Sequence, residues 1–175
     1  MKLFMVYVGG ACGNSNVEVH DVRFAIGETI EDCHDDLRKQ WWGTPSRLHL
    51  DCWGSLEYGD GYDIIVAEGE TSDTDEKLFI VNLGGYLPEE FTEQHRNLPI
   101  VASDGKAAAR KALTTVQHWA LPHRDNVFDV DGVIDVADVT KLGNHKIVLK
   151  KTDSEKPFVF QCDYVPIGEH RDEPL

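Results

Sequence analysis

Lys2-Leu3-Phe4-Met5-Val6-Tyr7-Val8-Gly9-Gly10 opens the chain, and it returns as Lys77-Leu78-Phe79-Ile80-Val81-Asn82-Leu83-Gly84-Gly85. The shift from Lys2 to Lys77 is 75 positions (77 − 2). At the same shift Glu18-Val19-His20 falls on Glu93-Gln94-His95. With gaps, Gln40-Trp41-Trp42 answers Gln117-His118-Trp119, and His49-Leu50-Asp51 answers His123-Arg124-Asp125. The order of the landmarks is the same in both halves, which reads as one structural unit present twice.

Each opening stretch is short, rich in β-branched and aromatic residues, and bounded by glycine, the pattern of a buried strand. The glycine pair is expected to end the strand in a tight turn. Val19 to Ile26 reads as a second strand. Thr29 is expected to cap a helix with Ile30, Cys33, Leu37 and Trp41 on one face. Arg47 to Trp53 and Tyr62 to Ala67 read as further strands, the latter after an Asp60-Gly61 turn. In the second unit Ser103 is expected to cap a helix with Ala109, Ala112, Leu113, Val116 and Ala120 on one face and Pro122 at its end. Phe128 to Val136 follows, with a turn at Asp131-Gly132. His145–Lys150 and Pro157–Val165 are expected to form a hairpin.

The expected fold is therefore α+β: two tandem β-β-α-β-β repeats related by a pseudo-twofold axis, with a C-terminal hairpin completing the sheet. Residues 1–70 form unit one, 77–140 unit two, and 141–175 the hairpin and a polar tail.

The landmarks resemble those of the domain of unknown function 1543 family. The resemblance rests on the opening strand with Gly9-Gly10, then Glu18-Val19-His20-Asp21, then the helix ending in Gln40-Trp41-Trp42. It covers unit one well and unit two less closely, where Arg96 stands in place of the Asp that follows His20. It implies one or two copies of the domain per chain and brings no activity with it.

Composition sets limits. The 175 residues include 31 acidic and 17 basic ones, a formal charge of −14. That balance excludes nucleic acid and anionic membrane surfaces as expected partners, because phosphate recognition needs clustered Lys and Arg. No apolar run approaches the ~20 residues of a membrane span. The apolar run after Lys2 stops at Gly9, too short for a signal peptide. Cys12, Cys33, Cys52 and Cys162 have no C-x-x-C spacing and are expected to be reduced, buried thiols of a cytoplasmic protein.

The residues that suggest chemistry are the repeated pairs: Glu18 with His20, His49 with Asp51, Glu93 with His95, and His123 with Asp125. Residues two apart on a strand share a face, so each pair presents an imidazole beside a carboxylate. A helix between the two strands implies a right-handed crossover and a parallel orientation, with both pairs at the same end of the sheet. If those strands are neighbours, the pairs converge.

Such a cluster suits a divalent metal, with His20, His49, His95 and His123 as the nitrogen ligands, or a small ligand, or a base for proton transfer. The alternative is a non-catalytic structural or protein-interaction module in which the pairs only stabilise the fold. Whether the chain is an enzyme, what small ligand or protein partner it takes, and whether it forms a homo-oligomer stay open at this point. Trp42, Trp53 and Trp119 are candidates for a pocket wall and, equally, for core anchors. Neither a phosphate loop, an EF-hand nor a G-x-S-x-G elbow is present.

Overall fold

In a computed structural model, residues 1–86, 89–115 and 130–169 are described. Strand β1 (Lys2–Gly10) pairs antiparallel with β2 (Val19–Gly27) on one side and β3 (His49–Ser55) on the other. Strand β4 (Tyr58–Gly59) and β5 (Tyr62–Ala67) follow. Then β6 (Lys77–Gly85) pairs antiparallel with β7 (Gln94–Ala102) and with β8 (Val130–Asp135). Strand β9 (Lys146–Lys151) and β10 (Phe160–Pro166) complete the set. Helix α1 (His34–Gln40) lies between β2 and β3, α2 (Gly105–Thr115) precedes β8, and α3 (Val136–Val139) follows it. The class is α+β, with sheets ordered β10-β3-β1-β2, β4-β5-β9 and β7-β6-β8.

The period-2 alternation of β1 divides its residues between two cores. Phe4, Val6 and Val8 face Ile30, Cys33, Leu37 and Trp41 from the α1 segment. Leu3 and Met5 face the other way, onto Leu78 and Ile80 of β6 and onto Ile64, Val66 and Leu149 of β5 and β9. Strand β6 does the same, with Phe79, Val81 and Leu83 turned outward onto Ala108 and Ala112 of α2. The layers thus run helix, sheet, sheet, helix, and the inner faces of β1 and β6 share one apolar layer. Full burial of a Leu, Ile or Phe side chain in such a layer is worth roughly 1.5–3 kcal/mol.

The two central hairpins have the same register. Lys2 pairs with Gly27 and Gly10 with Val19; Lys77 pairs with Ala102 and Gly85 with Gln94, each 75 positions on. The third strand of each group agrees too, down to the bulge. The register of β1 with β3 shifts between Tyr7 and Val8, and that of β6 with β8 between Asn82 and Leu83.

Several expectations need correction. Gly9-Gly10 and Gly84-Gly85 are the last residues of strands β1 and β6, not turns. Asp131-Gly132 lies inside β8, whereas Asp60-Gly61 is a turn, with both residues at positive φ. Strands β9 and β10 do not form a hairpin: β9 joins β5, and β10 runs along β3. Thr29 does not cap its helix with its side chain; Asp32 instead accepts from the amides of Glu28 and Thr29. Asp104, not Ser103, accepts from the Ala107 amide at the start of α2, and its buried face is Ala108 and Ala112. Cys52 and Cys162 are register partners on β3 and β10 and form a disulfide; Cys12 and Cys33 are free. The expected roles of Val116, Trp119, Ala120, Pro122, His123, Asp125 and Phe128 fall outside the described residues. Among the described residues no helix is long and apolar enough to cross a membrane.

Candidate functional site

The register of the first sheet builds the site. Gly9 is the partner of His20 on β2 and of His49 on β3. Directly opposed residues in antiparallel pairs share a face, so His20 and His49 stand on either side of a position with no side chain. Strands β2 and β3 are parallel, as the crossover rule implies, but β1 runs between them. The two imidazoles meet because Gly9 leaves the space empty. A Cβ there would lie 2.6 Å from His49 Nε2, 2.7 Å from Asp51 Oδ2 and 2.9 Å from His20 Cδ2.

Glu18 precedes His20 by two positions. Asp51 is the bulged residue of β3, and the bulge turns its carboxylate toward the same point. His20 Nε2 lies 3.5 Å from Glu18 Oε1 and 3.3 Å from Asp51 Oδ2. His49 Nε2 lies 3.5 Å from Glu18 Oε2 and 3.5 Å from Asp51 Oδ1. One donor atom from each of Glu18, His20 and His49 fits within a mutual separation of 4.8 Å. All four residues that the sequence marked in unit one are therefore brought together.

The protonation of His49 is set by its other nitrogen. His49 Nδ1 lies 3.0 Å from the Arg47 carbonyl oxygen, which can only accept. Nδ1 therefore donates to that carbonyl, which turns the Nε2 atom toward the carboxylates. His49 is 2% exposed, and neither its Nε2 nor the Asp51 Oδ2 has a hydrogen-bond partner, although both atoms are buried. Tyr7 stacks on His20, with ring centroids 5.1 Å apart and planes 4° from parallel. Loss of hydration raises the Tyr7 phenol above its usual value, and the Asp51 and Asp21 charges add to this. Tyr164 of β10 closes over His49 at 4.4 Å between centroids.

A second cluster stands on β6. Gly84 is the partner of His95, and a Cβ on Gly84 would run into the Asp131 carboxylate and lie 2.6 Å from Glu93 Oε1. His95 Nε2 lies 3.7 Å from Glu93 Oε2 and 3.3 Å from Asp131 Oδ2. Asp131 is the bulged residue of β8, at the register position that Asp51 holds in β3. Sequence alone missed it, since a gapped alignment matched Asp51 with Asp125. Counting back from Cys52 and from Gly132, which oppose Tyr7 and Asn82, would have found it. This cluster is more open, with the His95 side chain 46% exposed against 3% for His49.

The tryptophans divide. Trp41 and Trp53 are buried in the core under α1, whereas Trp42 is exposed and donates its indole N–H to Asp21.

Residues 15–66 match the family described as Domain of Unknown Function (DUF1543), the part of the chain that contains Glu18, His20, His49 and Asp51. No curated protein matches the chain. Among solved structures, the chain is similar to a protein Il1583 from Idiomarina loihiensis, with 29% identity and a TM-score of 0.73. That likeness covers 96% of this chain and 99% of the other. It extends well beyond residues 15–66. Neither match names an activity.

Proposed function

We propose that the chain is a duplicated divalent-metal-binding protein, with its better-formed site at Glu18, His20, His49 and Asp51 and a second at Glu93, His95 and Asp131. The observation that carries the reading is the His49 Nε2 atom, buried without a hydrogen-bond partner and facing two carboxylates. An ion such as zinc sits about 2.1 Å from its ligands, and tetrahedral donors around it are about 3.4 Å apart. The nitrogen-to-oxygen distances of 3.3 to 3.5 Å in the first cluster, which run through both oxygens of each carboxylate, lie near that spacing, and one donor atom each of Glu18, His20 and His49 fits within 4.8 Å. They exceed the ~2.7–2.9 Å of a charge-assisted hydrogen bond. Two carboxylates with two neutral imidazoles also balance one divalent charge. The Nδ1 contact to Arg47 is the kind of outer-shell support that orients a metal-binding histidine.

The duplication is part of the same proposal. The two copies, residues 1–70 and 77–140, share a β-β-α-β order and are related by a pseudo-twofold axis, and β9, just beyond residue 140, is the counterpart of β5. The shared registers, the shared bulge and the inner faces of β1 and β6 in one core support it. Antiparallel pairing of β5 with β9 fits the same axis. His123 and Asp125 are not assigned to the second site.

The test is metal analysis of protein freed of metal by a chelator and then reloaded. Saturable uptake of zinc or manganese, reduced in His20→Ala and Glu18→Ala and further in the combination with His95→Ala, supports the reading. Absence of uptake by the intact chain, with the same substitutions lowering only the melting temperature, would leave the pairs as fold-stabilising contacts.

A further inference from the structure

His20 of the first cluster and His95 and Asp131 of the second line one cavity. This cavity, of about 270 Å³ between the sheets, is lined by His20 and Tyr7 from one side and by Asn82, His95, Asn97 and Asp131 from the other. Tyr7, Val22, His95 and Asn97 also line an adjoining cavity of about 400 Å³. There the wall changes character: Met5, Trp53, Phe158 and Phe160 surround it. Phe158 and Phe160 stack with centroids 5.7 Å apart, and Phe160 is 59% exposed, so the aromatic wall is accessible from solvent. One end of the cleft thus holds His20 of the first cluster with His95 and Asp131 of the second, and the other is an apolar slot of a size that suits a small molecule.

We infer that this cleft binds a small oxyanion on an aryl-sized apolar body, its oxygens on the bound metal and its body between Met5, Tyr7 and the Phe158–Phe160 pair. This rests on the metal-binding reading above. No Lys or Arg lines either cavity among the described residues, and Asp21 and Asp131 do. A negatively charged ligand would be repelled by the metal-free protein, so its only attractive partner there is a cation held by the clusters. A metal held by three protein donors, as at Glu93, His95 and Asp131, keeps a fourth position for such an oxygen. Asn82 Nδ2 donates to Asn97 Oδ1 at 2.7 Å, which leaves the Asn97 amide hydrogens and the Asn82 oxygen to meet a polar substituent between head and body.

The experiment is calorimetric titration of the full chain, metal-loaded and metal-stripped, with metal content measured in parallel. The probes are 3-phenylpropionate and 2-phenylethylphosphonate, each against its body-less counterpart, acetate or inorganic phosphate. The expected result is that one aryl probe binds the loaded protein at least tenfold more tightly than its counterpart. The carboxylate and phosphonate arms show which head the site takes. Stripping the metal abolishes the binding. Phe160→Ala, at an exposed position the fold does not need, weakens the aryl probe about tenfold and leaves metal content unchanged. Metal uptake with no preference for the aryl probes overturns this inference and leaves the metal site standing. Equal binding to stripped protein, or indifference to Phe160→Ala, also overturns it. Absence of metal uptake overturns both.

Discussion

Gly9→Ala is the sharpest single perturbation of the site. The added methyl would sit 2.6 Å from His49 Nε2 and 2.7 Å from Asp51 Oδ2, where ordinary contact begins near 3.4 Å. One or both groups must therefore retreat by about 0.7–0.8 Å, while metal–ligand distances tolerate only about 0.2 Å. His49 cannot retreat freely, since Arg47 holds its Nδ1 and the ring is buried. The expected loss of metal affinity is at least the 10–100-fold typical of disturbed ligand support. The overpacking itself costs about 1–3 kcal/mol. At this chain length that lowers Tm by about 2–12 °C.

Gly27→Ala is the control. Its methyl would meet the Thr29 carbonyl oxygen at 2.7 Å and the Asp32 Cβ at 2.9 Å, a similar clash at the far end of β2 from His20. Thermal unfolding and zinc titration of both variants separate the effects. Both should lose stability, and only Gly9→Ala should lose metal. Equal metal affinity in Gly9→Ala and the parent would refute the idea that this glycine exists to make room for the cluster.

Four further outcomes follow from the structure. Alkylation of the denatured, unreduced chain should label two cysteines and, after reduction, four; in the native state Cys33 should resist, because burial raises its thiol to about 12. Cys162→Ser should cost about 2–4 kcal/mol, since the bond closes a separation of 110 residues. Burial, helped by Arg38, holds the His34 imidazole below its usual value. The unfolded chain then binds the proton more readily, so this contribution is present above pH ~6.5 and is lost as pH falls through the lower folded value. His34→Gln should flatten that part of the Tm-against-pH curve. Asp131→Asn should weaken the uptake that remains in a His20→Ala background and, in the parent chain, leave the first site filled, as read by stoichiometry.

Much of this architecture was legible in the sequence, and the reasons are local. The nine-residue echo at 75 positions predicted the matching strands β1 and β6, and the spacing of Ile30, Cys33, Leu37 and Trp41 predicted the buried side of the α1 segment. Glu18, His20, His49 and Asp51 do come together, although the strands that carry them are not neighbours: β1 separates them and Gly9 leaves the gap. What failed depended on contacts distant in the chain. The Cys52–Cys162 bond and the β3–β10 pairing join residues about 110 positions apart, and no local pattern announces them. The glycine pairs misled for a different reason. Glycine before a polar loop is usually a turn, but here its missing side chain, not its backbone freedom, is what the fold uses. Asp131 escaped because a bulge displaces one carboxylate by a residue, and the register of the whole strand is needed to see it.

Anomalous diffraction at the zinc edge, from crystals of the metal-loaded protein, addresses the central claim most directly. The expected map has a peak about 2.1 Å from His20 Nε2, His49 Nε2 and a carboxylate oxygen of Glu18, with Asp51 completing the shell, and a weaker peak at Glu93, His95 and Asp131. A map without a peak over Gly9, in which His49 Nε2 donates a hydrogen bond to a carboxylate that has closed in to ~2.8 Å, would contradict it.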